Sequence, residues 1–224
     1  MKIKRKIELP FKKKSFVTCI AFDEKQMIYG ITCSDNQIYF YLKGKVRIEL
    51  LKVIEAPCLQ QRIWYMQKAQ VWLTAGRDFK LRWWDTDRLG SLKRTFDIHT
   101  DEITCCIEIK NPACIATCSL DRTIVMYDLA NGEIIRRINE NHDKGIFHLK
   151  YQSQNGATMV SIATEIYANV WSPESLVSDI HIGKLKGHKK SIVAGDYLNR
   201  APFFATIDIL NMVIIWDIKN LTAA

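Results

Sequence analysis

An all-β repeat fold is predicted by three features of the sequence. Aromatic residues recur at intervals of 43, 43, 44 and 45 residues, each closes an apolar, strand-like run, and a carboxylate stands six residues before most of them. The aromatic residues are Tyr41, Trp84, Tyr127, Trp171 and Trp216. A period of about 40 to 45 residues with four short strands per unit is that of a β-propeller blade. The sequence therefore predicts a β-propeller with five visible four-stranded blades.

The run before each aromatic residue reads as strand, tight turn, strand, as in residues 116–127, "ATCSLDRTIVMY". The turn carboxylates are Asp35, Asp78, Asp121 and Glu165. Leu210 holds this position in the fifth copy, so we expect the fifth turn to lack a carboxylate. A histidine lies 28 or 29 residues before three of the aromatic residues, and Lys12 holds the corresponding place in the first repeat.

The repeats divide the chain into one domain of five units. The predicted blade cores are residues 12–52, 53–96, 97–139, 140–185 and 186–224. Residues 3–9 alternate between apolar and polar side chains and precede the first unit. They are predicted to form an outer strand that belongs to a neighbouring blade.

The dipeptides Trp84-Asp85, Tyr127-Asp128 and Trp216-Asp217 close three of the repeats, whereas Trp171 is followed by Ser172. In these residues, and over nearly its whole length, the chain resembles the WD-repeat propellers. The fifth repeat is also similar to repeats of large protist WD-repeat proteins, some of them associated with cilia. The resemblance implies seven blades, on the order of 300 residues at this period. Three alternatives follow, namely a longer polypeptide, which we favour, an unusual five-bladed closure, or further blades from another chain.

The resemblance also implies a hydrogen-bonded staple in each blade, made of a loop His, a strand Ser or Thr, a turn Asp and the aromatic residue. Carried over by position, the staple residues are His99, Ser119, Asp121 and Tyr127 in the third blade, Asp78 and Trp84 in the second, His142 and Trp171 in the fourth, and His188 and Trp216 in the fifth. We expect the fifth staple to be incomplete because it lacks the turn Asp.

The net charge of +8 is concentrated at the start of the chain, since residues 1–14 carry +6 of it. Lys12, Lys13 and Lys14 could therefore bind an anionic polymer such as a nucleic acid or an acidic cytoskeletal tail. The alternative and more common interpretation is that this segment is an edge strand whose lysines are exposed to solvent. No apolar stretch is long enough to span a membrane, and seven cysteines within strand patterns favour a reducing compartment. We expect a cytoplasmic protein, with a cytoskeletal or ciliary location as the narrower alternative.

The sequence does not predict a catalytic activity. The sequence contains no phosphate loop, nucleophile elbow or zinc-protease motif. His99, Ser119 and Asp121 match the residue types of an acyl-transfer triad, but their spacing is that of the staple. Four cysteines follow His99 in the same repeat and suggest a zinc site, because thiolates and an imidazole are zinc ligands. They are Cys105, Cys106, Cys114 and Cys118. Because neighbouring strand residues point to opposite faces, we expect buried packing instead, with no metal and no cofactor.

Binding is the function that remains. A propeller presents loops on rigid faces, and the resemblance implies protein or peptide partners. The residues just before the turn carboxylates should project from the rim, and Phe147 starts the fourth blade beside them. The candidate partner-binding residues are Arg77, Leu120, Phe147 and Thr164. The sequence therefore predicts a non-catalytic interaction scaffold, with the anionic-polymer binder as the alternative.

Overall fold

The computed structural model describes residues 10, 14–45, 47–86, 89–111, 113–128, 131–154, 156–175, 179–198 and 202–224. This part of the chain is all-β, with five four-stranded antiparallel sheets and no helix, which confirms the predicted fold class. The chain divides into two compact units, residues 1–98 and 99–224. The predicted strand 3–9 lies outside the described residues.

The first unit contains two sheets whose strands follow one another in chain order. Sheet one consists of β1 Val17–Asp23, β2 Ile28–Cys33, β3 Gln37–Lys43 and β4 Ile48–Glu55. Sheet two consists of β5 Gln60–Met66, β6 Val71–Gly76, β7 Leu81–Trp84 and β8 Leu92–Phe96.

The second unit contains three sheets with the same strand order. Sheet three consists of β9 Ile103–Ile109, β10 Cys114–Ser119, β11 Ile124–Asp128 and β12 Ile134–Ile138. Sheet four consists of β13 Ile146–Gln152, β14 Thr158–Ala163, β15 Tyr167–Trp171 and β16 His181–Lys186. Sheet five consists of β17 Ile192–Tyr197, β18 Phe203–Asp208, β19 Val213–Asp217 and the two-residue strand β20 Thr222–Ala223.

Each recurring aromatic residue lies on the third strand of its sheet and is buried, with at most 5% of its surface exposed. In sheets one to four the pairing of the third and fourth strands shifts beside this residue. Such β-bulges re-aim a side chain without breaking the sheet. The sequence period thus marks equivalent structural positions.

Sheets within a unit pack face to face through alternate residues of their strands. We call the face that packs on the next sheet along the chain the outgoing face and the opposite one the incoming face. In the first unit, Ile38 and Phe40 on the outgoing face of sheet one pack with Ile63 and Trp72 on the incoming face of sheet two. The Phe40 and Trp72 rings meet edge to face at 5.2 Å. Burial of this apolar surface is what holds the two sheets together.

The second unit repeats this arrangement twice. Met126 of sheet three packs with Leu149 and Met159 of sheet four, and Val170 of sheet four packs with Phe204 of sheet five. Because the strands alternate faces with a period of two, the same sequence positions recur at each of these junctions.

A side-chain hydrogen bond also recurs between neighbouring sheets. Thr18 Oγ1 donates to the Gln60 carbonyl at 2.7 Å in the first unit, and Thr104 Oγ1 donates to the Ile146 carbonyl at 2.7 Å in the second. Both threonines are the second residue of a first strand, and both carbonyls belong to the first residue of the next one. This bond fixes the relative height of sheets one and two and of sheets three and four.

Candidate functional site

Sheet four contains a complete chain of buried hydrogen bonds between its loop, strands and turn. His142 Nδ1 lies 2.9 Å from Glu165 Oε2, and His142 Nε2 lies 2.6 Å from Ser161 Oγ. Trp171 Nε1 donates to the same hydroxyl at 2.7 Å. We call this arrangement the staple. With the Nδ1–H tautomer, every donor in it faces an acceptor, which is what buried polar groups require.

Sheet three has the same arrangement with Tyr127 in place of Trp. His99 Nδ1 contacts Asp121 at 2.9 Å and His99 Nε2 contacts Thr117 Oγ1 at 2.9 Å. Tyr127 Oη lies 3.5 Å from the Thr117 hydroxyl. The predicted Ser119 is therefore wrong as the staple hydroxyl. Ser119 lies two residues closer to the turn than Thr117. There its Oγ accepts a hydrogen bond from the Asp121 amide and donates one to the Asp101 carbonyl.

Sheet five carries a staple that the sequence did not predict in full. His188 Nδ1 contacts Asp208 at 3.0 Å, His188 Nε2 contacts Thr206 at 2.7 Å, and Trp216 Nε1 donates to Thr206 at 2.7 Å. The expectation of an incomplete fifth staple is wrong. Asp208 is the last residue of β18, two positions before Leu210, and its carboxylate contacts the histidine in place of a turn carboxylate.

Sheet two replaces the histidine with an amide. Trp84 Nε1 donates to Thr74 Oγ1 at 2.8 Å, and Thr74 donates to Gln60 Oε1 at 2.8 Å. Asp78 has a different role, since its Oδ1 accepts from Arg82 Nη1 at 3.0 Å. The carboxylate and the guanidinium form a two-bond pair within one hairpin.

Sheet one has no staple among its described residues. Asp35 accepts a hydrogen bond from the Tyr39 hydroxyl at 3.1 Å rather than from a loop histidine. The Tyr41 hydroxyl is buried without a hydrogen-bond partner in the part of the chain that the structure describes. The first sheet therefore depends on apolar packing alone at this position.

The carboxylates are held in their charged form by these contacts. Arg82 lowers the pKa of Asp78 to about 2, against a usual value of 3.8. Burial alone raises the pKa of Asp121, but hydrogen bonds from His99 and Thr123 lower it further than burial raises it. The pKa of Glu165 is lowered by the same balance of burial against bonds from His142 and backbone amides. Charged carboxylates are thus part of the folded turns.

A hydroxyl, an imidazole and a carboxylate in line are also the parts of an acyl-transfer triad. The staple hydroxyls are inaccessible, however, because Thr117, Ser161 and Thr206 expose at most 1% of their surface. Each hydroxyl is also occupied by the aromatic residue of its sheet. The staples join a loop to a turn and present no nucleophile to a substrate.

One regularity would have located the staple hydroxyls from the sequence. A Thr or Ser stands ten residues before the aromatic residue in the four sheets that have a bonded aromatic side chain, and Ile31 stands there in sheet one. These hydroxyl residues are Thr74, Thr117, Ser161 and Thr206. The missed Asp208 has a weaker signal, a carboxylate eight residues before the aromatic residue.

The turns between second and third strands form an exposed rim in each unit. In the first unit Arg77 is exposed and is followed after Asp78 by Phe79, which is 37% exposed at a φ of 63°. A bulky residue in this left-handed conformation is unusual outside turns under strain. In the second unit Leu120 is 40% exposed and Thr164 is exposed. The rim is therefore accessible at three of the four predicted partner-binding positions.

Phe147 is the exception, and its prediction as a rim residue is wrong. It is half-buried and packs against the apolar cluster between sheets four and five. As the second residue of β13, it points to the outgoing face of sheet four, at the position that Thr104 holds in sheet three. Two exposed rim residues that we did not predict are Ile166 and Ile209, at 51% and 57% exposure.

Of the predicted anion-binding residues, Lys12 and Lys13 lie outside the described residues, and Lys14 is exposed at a φ of 74°. Cys105 pairs with Cys118 across β9 and β10, whereas Cys106 pairs with Thr117. Neighbouring cysteines of β9 thus lie on opposite faces of the sheet.

The sheets and staples define a class, proteins built from repeated four-stranded propeller blades. A model of the family "WD domain, G-beta repeat" matches residues 90–128. The chain is 26% identical over 132 residues to the nuclear distribution protein nudF of Aspergillus niger, covering 58% of this chain and 29% of that protein. It is 20% identical over 159 residues to pre-mRNA-processing factor 19 of Oryza sativa subsp. japonica, covering 70% of this chain and 29% of that protein. Over residues 90–128 the chain is thus similar to the WD-repeat proteins.

The matched part of the chain spans less than a third of the length of these curated relatives. Among the described residues there is no helix of the length and apolarity that a membrane crossing needs.

Proposed function

We propose that this chain is a non-catalytic scaffold that binds other proteins or peptides through the turn rim. One observation carries the proposal. In the second unit the turns place Leu120, Ile166 and Ile209 at the surface, with 40%, 51% and 57% of each residue exposed. Residues on loops that a rigid scaffold holds in place are typical of interaction sites, and a partner could bury these exposed aliphatic side chains.

The rigidity of the rim comes from the staples and from contacts between neighbouring turns. The Asp143 and Lys144 amides donate to Glu165, which anchors the loop of sheet four to its turn. The Ile192 amide donates to the Glu165 carbonyl at 2.8 Å, which joins that turn to sheet five. A partner that binds here pays little for ordering the rim, because the loops are already held.

We also propose a domain organisation and a cellular location for the protein. We assign the five sheets to one propeller domain with blade cores at 12–52, 53–96, 97–139, 140–185 and 186–224, and we place the protein in the cytoplasm. WD-repeat relatives support an interaction scaffold in general. Binding of an anionic polymer through Lys12 to Lys14 is the alternative outcome of the test below.

The test compares matched substitutions of exposed aliphatic residues. Immobilised protein carrying Leu120→Glu or Ile166→Glu should lose at least tenfold in affinity for proteins captured by the wild type, at an unchanged melting temperature. Ile135→Glu is the control, because Ile135 is 42% exposed on the outer strand β12, away from the rim. Equal loss in the control, or loss only after neutralising Lys12, Lys13 and Lys14, would overturn the rim assignment.

A further inference from the structure

Two cysteines of sheet three lie directly opposite each other. Cys105 of β9 and Cys118 of β10 are cross-strand partners. The Cα atoms of such partners are about 4.5 or 5.5 Å apart, and a disulfide spans Cα distances of about 4.4 to 6.8 Å. Among the strands that the structure describes, no other two cysteines are partners. The backbone spacing of this pair therefore permits a disulfide.

Contacts with sheet four keep both sulfurs on one face of sheet three. The Cys105 sulfur lies 3.6 Å from the Leu149 carbonyl oxygen. Thr104 is the extra residue where the pairing of β9 and β10 shifts, and such a bulge sets two residues against one partner. Its Oγ1 lies 3.3 Å from the Cys118 sulfur and donates to the Ile146 carbonyl at 2.7 Å. Thr104 and Cys105 thus both lie against Cys118 and against the next sheet.

The two thiols differ in accessibility and in charge. Cys105 is half-buried, whereas Cys118 is 0% exposed. The hydrogen bond with Cys118 lowers the pKa of Cys105 below its usual 9.0, burial opposes this, and His148 of sheet four lowers the pKa further. Burial raises the pKa of Cys118 well above 9.0. Because the thiolate is the reactive form of cysteine, Cys105 is the sulfur that reacts first.

We propose that Cys105 and Cys118 form a peroxide-reactive site, at which hydrogen peroxide oxidises the two thiols to a disulfide. The Cys105 thiolate attacks one peroxide oxygen, so an S–O bond forms, the O–O bond breaks, and the departing hydroxide takes up a proton to give water. The Cys118 sulfur then attacks the resulting sulfenic acid. The S–S bond forms, the S–O bond breaks, and the hydroxide leaves as water with the Cys118 proton. The two sulfurs are oxidised and both peroxide oxygens are reduced to water.

Sheet one contains a matched control thiol. Cys19 is the third residue of β1, as Cys105 is the third residue of β9, and it is half-buried as well. Its sulfur contacts a β5 carbonyl at 3.8 Å, as the Cys105 sulfur contacts a β13 carbonyl. The partner of Cys19 is Thr32, however, and Arg62 holds the place of His148 in the next sheet. Cys19 therefore has the same backbone setting without a second thiol or an imidazole.

Thiol mapping of the wild-type chain tests the proposal without any substitution. The reduced chain is treated with hydrogen peroxide, and the remaining thiols are alkylated with N-ethylmaleimide. The disulfide should join the tryptic peptides 95–110 and 111–122, and fragmentation should assign it to Cys105 and Cys118. Dithiothreitol should reverse it, and the unreduced chain should keep its mass of 25.9 kDa because both sulfurs belong to one chain. Free Cys105 should disappear about tenfold faster than free Cys19.

Three variants separate the roles of the side chains, with circular dichroism melting to check that each is folded. Cys118→Ser should stop the reaction at a Cys105 sulfenic acid, which dimedone traps. Cys105→Ser should leave the buried Cys118 unmodified. His148→Gln should slow the loss of Cys105 and leave the loss of Cys19 unchanged.

The wild-type result can overturn the proposal by itself. A disulfide through Cys106 or Cys114, or loss of Cys19 as fast as that of Cys105, would do so. So would a wild type that peroxide leaves with all of its thiols free. A dimedone adduct on Cys118 in Cys105→Ser would overturn the assignment of Cys105 as the first sulfur to react.

Discussion

His188 Nδ1 lies 3.0 Å from Asp208 Oδ2, although the turn position that carries the carboxylate in the other repeats is occupied in this sheet by Leu210. Asp208 also accepts hydrogen bonds from the Leu210 and Met212 amides at 2.9 and 3.0 Å. One carboxylate therefore orders both the loop and the turn. The staple depends on a charge within reach of the histidine rather than on one fixed sequence position.

Removing this carboxylate should destabilise sheet five. Asp208→Ala leaves His188 Nδ1 and two turn amides without their acceptor, and unpaired buried donors are costly. We expect a lower urea midpoint than in the wild type. Asp196→Ala is the control, since the Asp196 side chain is 68% exposed in the same sheet. Similar midpoints for the two variants would show that the Asp208 contact contributes little.

The aromatic residue at the other end of the staple should matter more. Trp216 is 1% exposed, so Trp216→Ala removes a large packed side chain together with the donor to Thr206. The expected loss is about 3–5 kcal/mol of unfolding free energy, measured by urea denaturation. Leu210→Ala, at a residue 67% exposed, should change it by less than about 0.5 kcal/mol. A small loss for Trp216→Ala would mean that the site repacks.

The pair of Asp78 and Arg82 predicts a dependence of stability on pH. The folded pKa of Asp78, about 2, lies below its usual 3.8. The pair therefore stabilises the fold fully above about pH 4 and loses this contribution as the pH falls towards 2. Asp78→Asn should lower stability at pH 7 and flatten the acid limb of the curve, measured as melting temperature against pH. An unchanged acid limb would contradict the assignment.

Phe147 should behave as a packing residue. Phe147→Ala removes a side chain that packs between sheets four and five, and we expect a loss of about 1–3 kcal/mol. Leu120→Ala, on the exposed rim, should stay within about 0.5 kcal/mol. Thermal denaturation measures the stability of both variants. A Phe147→Ala variant as stable as Leu120→Ala would show that Phe147 is a rim residue and not a packing residue.

The period of the aromatic residues was sufficient to predict the five sheets, because a buried residue that closes each third strand must recur once per blade. The staple was harder to assign. Ser119 and Thr117 lie on the same face of β10, and the sequence does not show which hydroxyl reaches the histidine. The place of Phe147 depended on which face of β13 packs on sheet five, which is a property of the tertiary contact. The substitution of Asp208 for a turn carboxylate rests on reach in space rather than on spacing.

Site-specific photo-cross-linking tests the rim assignment most directly. A photoreactive amino acid is placed in turn at Leu120, at Ile166 and at the control position Ile135, and the cross-linked proteins from cells are identified by mass spectrometry. If the rim binds partners, the same protein is cross-linked from Leu120 and from Ile166 and is not cross-linked from Ile135. Cross-linking of a partner from Ile135 but from neither rim position would show that partners bind elsewhere than the rim.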